Sequence, residues 1–176
     1  MEGTAADSPE DLSATVRLGW TSQGLLCSVA VRDDRFIPAA ADTSGWWNRD
    51  TVEFWIGDRQ FGVRFGSWGA NLWSREGEVT QIKPVFLPGT GGYTVQWVVP
   101  MSLLGAAGKQ GVGGQLRFAL GVNDTDTGEK RDTQLYYPRG WQHSTSSTFA
   151  VASLADESGK VVAAVTPPPP ALEPIT

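Results

Sequence analysis

Apolar and polar residues alternate with a period of two along most of the chain, in short runs separated by glycine- and proline-bearing turns. Val16, Leu18 and Trp20 alternate with Thr15, Arg17 and Gly19. After Ser22-Gln23-Gly24, Leu25, Cys27, Val29 and Val31 share one face. This predicts a hairpin that leaves through the charged exit Arg32-Asp33-Asp34-Arg35. Val52, Phe54 and Ile56 form the core face of a strand over 51–56, with Thr51, Glu53 and Trp55 on the other face. Phe61, Val63 and Phe65 form the next strand, with Gly62 and Arg64 facing away. Tyr93, Val95, Trp97 and Val99 repeat the pattern, as do Leu116, Phe118, Leu120 and Val122.

Weaker signals place strands over 79–86 (broken by Pro84), 134–137, 148–154 and 161–165. The stretch 36–50 reads as a long connection whose alanine run makes a short helical turn. Residues 66–80 read as a loop carrying Trp68 and Trp73. Residues 100–105 read as a turn or helical fragment, 108–114 as a glycine-rich loop, and 138–147 as a loop holding Trp141. With almost no helical period, the fold class is all-β, an antiparallel β-sandwich with jelly-roll character. The expected organisation is a loose lead-in over 1–12, one sandwich domain over 13–166, and a proline-rich tail over 167–176. Such a tail suits a linker to a larger chain.

Composition narrows the function. The 176 residues include eight tryptophans, and an indole N–H needs a partner when buried. Some of the eight therefore belong to a binding surface. A net charge of −5 and the lack of any basic run exclude an ordinary nucleic-acid binder. No apolar stretch reaches about 18 residues, so no membrane span is expected. The acidic start Met-Glu-Gly-Thr-Ala-Ala-Asp does not read as a signal peptide. An extracytoplasmic or cell-surface location, as part of a larger protein, is the expectation. Cys27 reads as a small core residue. One cysteine and one histidine, His143, exclude an ordinary zinc cluster.

The chemistry concentrates around Trp46-Trp47-Asn48-Arg49-Asp50-Thr51-Val52-Glu53. The indole face of Trp47 suits the C–H face of a pyranose, and a carboxylate can accept bonds from two hydroxyls. Glu53, Arg64, Gln96 and Arg117 lie on non-core strand faces, forming a polar floor if their strands are neighbours. The alternative is a solvated face with cross-strand ion pairs. Trp20, Trp55 and Trp97 read as packing. Asp124-Thr125-Asp126-Thr127-Gly128-Glu129 reads as an oxygen-rich calcium loop or a polar turn; it departs from the EF-hand pattern. Asp33, Asp34 and Asp50 are candidate further carboxylates. Catalysis is not expected. No Gly-x-Ser-x-Gly elbow accompanies His143, and Asp50 and Glu53 point to opposite faces, a poor glycosidase pair.

Five motifs occur in a recognisable order. They are Leu25–Val31 with Arg32-Asp33-Asp34; Trp47-x-x-Asp50-x-Val52-Glu53-x-Trp55-Ile56; and Tyr93-x-Val95-x-Trp97-x-Val99-Pro100. The last two are Gly114-x-Leu116-x-Phe118-x-Leu120-x-Val122-Asn123-Asp124-x-Asp126, and Trp141-Gln142 followed by Phe149. Over residues 14–154 they resemble the family 9 carbohydrate-binding modules and their DOMON-like relatives. The resemblance implies a β-sandwich that binds an oligo- or polysaccharide end. Trp47 and Trp141 would clamp the sugar, with Glu53 among the hydroxyl-bonding groups. It also implies structural calcium, for which Asp33, Asp34, Asp124 and Asp126 are the candidate ligands. No organic cofactor is expected, although DOMON-like relatives that hold haem would point to Met101 and His143. His143-Ser144 stands where the family carries Asn-Pro. The rival reading is a structural or protein-interaction sandwich without sugar binding. The saccharide reading expects two indoles facing each other across a gap one hexose wide, with Glu53 at its base.

Overall fold

The computed structural model describes residues 6–40, 44–77, 79–143, 145–156 and 158. β1 (Leu12–Thr21) and β2 (Gly24–Asp33) form the expected hairpin, in register from Leu12 against Asp33 to Thr21 against Gly24. β6 (Val85–Gly89) and β7 (Gly92–Pro100) complete a four-stranded sheet, ordered β1-β2-β7-β6. The second sheet runs β10-β8-β3-β4-β5, with β9 also pairing with β8. Its strands are β3 (Thr51–Ile56), β4 (Arg59–Gly66), β5 (Gly69–Ser74), β8 (Gln115–Asp124), β9 (Thr133–Tyr137) and β10 (Ala150–Ser153). All pairings within these sheets are antiparallel, so the fold is an antiparallel β-sandwich.

The inward faces interdigitate as period-two patterning requires. Leu25, Cys27, Val29 and Val31 from β2 and Val95, Trp97 and Val99 from β7 meet Val52, Phe54, Val63, Phe65, Leu120 and Val122. Phe54 anchors this layer, with Phe61 at 4.7 Å and Trp97 at 4.6 Å between ring centroids. Burying each such aromatic contributes roughly 1.5–3 kcal/mol.

Three expectations change. Residues 66–80 contain β5, whose six residues have no alternating burial because it lies at a sheet edge. The strand expected over 79–86 begins only at Val85 and runs on through Pro88-Gly89, beyond the proline that interrupts the pattern. A one-and-a-half-turn helix, α1 (Gly105–Gln110), replaces part of the glycine-rich loop; Gly111 stops it with φ of 69°. The turn expected over the alanine run falls partly on residues 41–43. That segment, the strand expected over 161–165 and the tail 167–176 lie outside the described residues.

β3 is central in its sheet, and all six of its residues are buried. The core accounts for one face. Two loops account for the other: 34–50, between β2 and β3, and 138–149, between β9 and β10.

Candidate functional site

Glu53 sits in the middle of that outer face. Its cross-strand neighbours are both glycines, Gly121 on β8 and Gly62 on β4, so the carboxylate lies in a trough. Each glycine admits a larger group from above. A Cβ on Gly62 would lie 2.1 Å from the ring of Trp46, and one on Gly121 would lie 3.0 Å from Gln134 Nε2. Neither glycine has a positive φ, so close approach rather than backbone strain selects them.

The floor of the trough is a bonded polar network. Gln60 Nε2 donates to Glu53 Oε2 at 2.9 Å, and Asn123 Nδ2 donates to Glu53 Oε1 at 2.9 Å and Thr51 Oγ1 at 3.0 Å. Asn123 Oδ1 in turn accepts from Arg131 at 3.0 Å and from Gln134 Nε2 at 2.7 Å. The Arg131 guanidinium lies 3.8 Å from Glu53 Oε1. Buried charge is tolerable here because each Glu53 oxygen has a donor and a cation is adjacent.

Trp46 and Trp47 stand on a 3-10 turn, Trp46–Asn48, entered through Gly45 at φ of 73°. Trp46 is buried over Gly62 and packs against Trp73 of β5 at 5.3 Å. Trp47 meets the edge of Trp46 at 5.8 Å and keeps 44 % of its surface exposed. The turn is tied down on its far side, where the Arg131 N–H donates to Asn48 Oδ1 at 3.4 Å. The resulting cleft, about 290 Å³, is lined by Trp46, Trp47, Glu53, Gln60, Trp73, Arg131 and His143. Its size and mixture of flat apolar walls with a few directed polar groups suit one small polar ligand unit.

Other expected site residues lie elsewhere. Trp141 does not face the cleft. It is 2 % exposed and packs on Trp55 at 4.4 Å and Phe149 at 5.8 Å, in an aromatic cluster with Ala119 beneath. The second-clamp assignment at Trp141 therefore does not hold: its ring has outward-facing Trp55 to cover and no free face for a ligand. Gln96 lies on β7 in the opposite sheet, bonded to Ser28 at 3.2 Å, so it is not part of this floor. Arg64 shares the outer face of β4 but bonds Asn71 on β5 at 2.8 Å and does not line the cleft. Arg117 reaches the Ser147 carbonyl at 3.2 Å instead. Conversely, Gln60, Trp73, Asn123, Arg131 and His143 join the site without having been assigned to it from the sequence. Gln60 and Asn123 were within reach, being in phase with Glu53 on adjacent strands; Arg131, in a polar loop, gave no signal.

A second acidic constellation lies at the base of loop 34–50. Carboxylate oxygens of Asp33, Asp50 and Asp124 come within 4.8 Å of one another, all three residues being buried. Asp126 joins Asp124 and Asp11 in a second such group. Asp34 joins neither group: it is exposed and points away, and Asp50 supplies the third buried carboxylate. Asp50 accepts the backbone N–H groups of Ile37 and Thr125, the latter at 2.9 Å. Asp33 Oδ1 accepts from Arg35 N–H at 2.8 Å, while its buried Oδ2 has no partner among the described residues. Burial is the largest influence on these acids, reinforced by mutual repulsion. It pushes Asp50 up to about 8 and Asp124 to about 7, and it raises Asp33. Converging carboxylates with an unsatisfied oxygen make the hard-oxygen donor set that a calcium ion requires, so the residues fit such an ion.

No family model matches this chain, and no curated protein sequence does. Among solved structures, the chain is similar to a carbohydrate-binding module of family 9 from Caldicellulosiruptor kristjanssonii in complex with cellotriose. The TM-score is 0.67 at 18 % identity, over 93 % of this chain and 84 % of that one. It is similar also to a family 9 module from the same organism in complex with glucose. There the TM-score is 0.67 at 16 % identity, over 91 % and 86 % of the two chains. At these identities the likeness establishes the fold, a sandwich matched along nearly its whole length.

Proposed function

We propose that this domain is a non-catalytic carbohydrate-binding module that holds one sugar unit of an oligo- or polysaccharide in the Trp47 cleft. The observation that carries the proposal is an exposed indole, Trp47, beside a pre-bonded acidic floor centred on Glu53. An aromatic platform with fixed hydrogen-bonding groups recognises a ring with an apolar face and a rim of hydroxyls. The two similar structures of the same fold, with cellotriose and with glucose, support the ligand class. The floor is ordered before the ligand arrives, so little side-chain entropy is lost on binding.

The role given to calcium is structural. Asp33 ends β2 and Asp50 immediately precedes β3, so the two carboxylates mark the two ends of the loop that presents Trp47. Asp124 comes from β8, next to the floor residue Asn123. A bound calcium would supply the positive charge that offsets the three acids. The chain's own part is to hold the loop ends together through Asp50 and its backbone donors.

Isothermal titration with cellotriose and a panel of neutral oligosaccharides tests the proposal. At least one should bind with little dependence on salt, because the ligand is uncharged. Trp47→Ala should abolish that binding with the fold retained. Undiminished binding by Trp47→Ala would remove this cleft from the function.

A further inference from the structure

The register of the strands places two different kinds of wall on either side of Glu53. Trp47 and Asn48 sit toward the Thr51–Asn123 end of the floor, where Asn48 meets the Arg131 backbone and Asn123 meets the Arg131 side chain. Two residues along β3 from Glu53, the opposite end is formed by Trp55 and its cross-strand partner Gln60. His143 stands there. Its ring meets Trp55 edge-on, at 6.1 Å and 89°, and lies 6.3 Å from Trp141. Its Nε2 is 3.3 Å from Gln60 Oε1.

The network assigns the tautomer of this imidazole. Glu53 only accepts, so the Gln60 group facing it must be the amide nitrogen, and Gln60 Oε1 faces His143. His143 Nε2 therefore carries the proton, and Nδ1 is the ring's hydrogen-bond acceptor. Buried Trp141 explains why the exposed imidazole is placed reproducibly. Two residues upstream, it fixes the loop to Trp55 and Phe149.

We propose that His143 is the second wall of the cleft, and that it selects a terminal pyranose with one apolar and one polar face, the galacto configuration. The inference rests on the saccharide reading above and adds ligand class to it. A gluco ring has all its ring hydroxyls equatorial and offers C–H groups on both faces, which suits two aromatic walls. Inverting C4 turns one hydroxyl axial. That gathers polarity on one face and leaves a continuous apolar patch on the other. Trp47 takes the apolar patch. His143, with Gln60 beside it, takes the axial hydroxyl, and the Glu53 floor takes the rim.

The test compares methyl β-galactopyranoside with methyl β-glucopyranoside by NMR titration. The proteins are the wild type, His143→Ala and Trp47→Ala, each checked by its melting temperature. His143 is exposed, so its removal leaves the fold intact. The wild type should prefer the galactoside about tenfold, of the order one directed hydrogen bond provides. His143→Ala should bring the ratio close to one while still binding both sugars, and Trp47→Ala should lose both. A wild type that binds the glucoside equally or better overturns the inference, as does a preference that survives in His143→Ala. In those cases, loss of binding in Trp47→Ala leaves the saccharide reading standing. Failure of the wild type to bind either glycoside, or unchanged binding by Trp47→Ala, sinks both.

Discussion

Loops 34–50 and 138–149 each bring a tryptophan to the outer face of the same sheet, and the two rings end in opposite situations. Trp47 is 44 % exposed and Trp141 is 2 % exposed. The difference lies in what each loop finds beneath it. Loop 34–50 crosses Gly62, where Trp46 fills the gap and leaves Trp47 to stand out. Loop 138–149 crosses Trp55, a large outward-facing ring that must be covered, and Trp141 covers it. A tryptophan in a polar loop is thus a platform or an anchor according to the residue two layers below it.

The comparison can be broken from the anchor side first. Trp141→Ala should destabilise the protein by about 3–5 kcal/mol, the cost of a large aromatic cavity. At roughly 2–4 °C per kcal/mol for a domain of this size, calorimetry would show a melting temperature lower by about 10 °C or more. A loss of only a degree or two would mean that Trp141 anchors nothing. Next in size, Gly62→Ala pushes a methyl into Trp46 and should cost about 1–3 kcal/mol. It should also shift tryptophan fluorescence, because Trp46 touches both Trp47 and Trp73.

The acidic base of loop 34–50 gives a third, pH-linked difference. Without a cation, Asp50 and Asp124 keep their protons in the folded state up to about 8 and about 7. In the unfolded chain they lose them near pH ~4. The unfolded state thus holds fewer protons across that window, and stability falls as pH rises through it. Melting in chelator should therefore occur at a lower temperature at pH 8.5 than at pH 5, with excess calcium raising the high-pH value most. Identical melting with chelator and with calcium at high pH would argue against an ion there. Smallest of all in stability, Trp47→Ala should change folding by no more than about 0.5 kcal/mol, as expected of an exposed side chain, while removing saccharide binding. Together with Trp141→Ala it separates platform from anchor.

How much of this was legible in the sequence follows from the same contrast. Period-two alternation reads strands and faces well, so β1 to β4, β7 and β8 and the outward placement of Glu53 were visible. It cannot say which sheet a strand joins. Gln96 has the same pattern as Arg64 yet lies on the opposite sheet. It also fails at edges: β5, half-buried at every position after Gly69, offers no contrast to read. In loops the signal is weaker still. Trp47 and Trp141 look alike in sequence, and only the pairing of Trp55 against Gln60 and of Glu53 against Gly62 distinguishes them. Asp34 and Asp50 were equivalent candidates until the hydrogen bonds of Asp50 to Ile37 and Thr125 drew one of them inward.

The central claim is that the ligand of this domain lies on Trp47 above Glu53, and a crystal structure with a bound oligosaccharide tests it most directly. A sugar ring should stack on the Trp47 indole, with hydroxyls within hydrogen-bonding distance of the Glu53, Gln60 and Arg131 side chains. A sugar seated elsewhere, such as in the groove beside Trp20 and Val112, with the Trp47 cleft holding only solvent, would contradict the account.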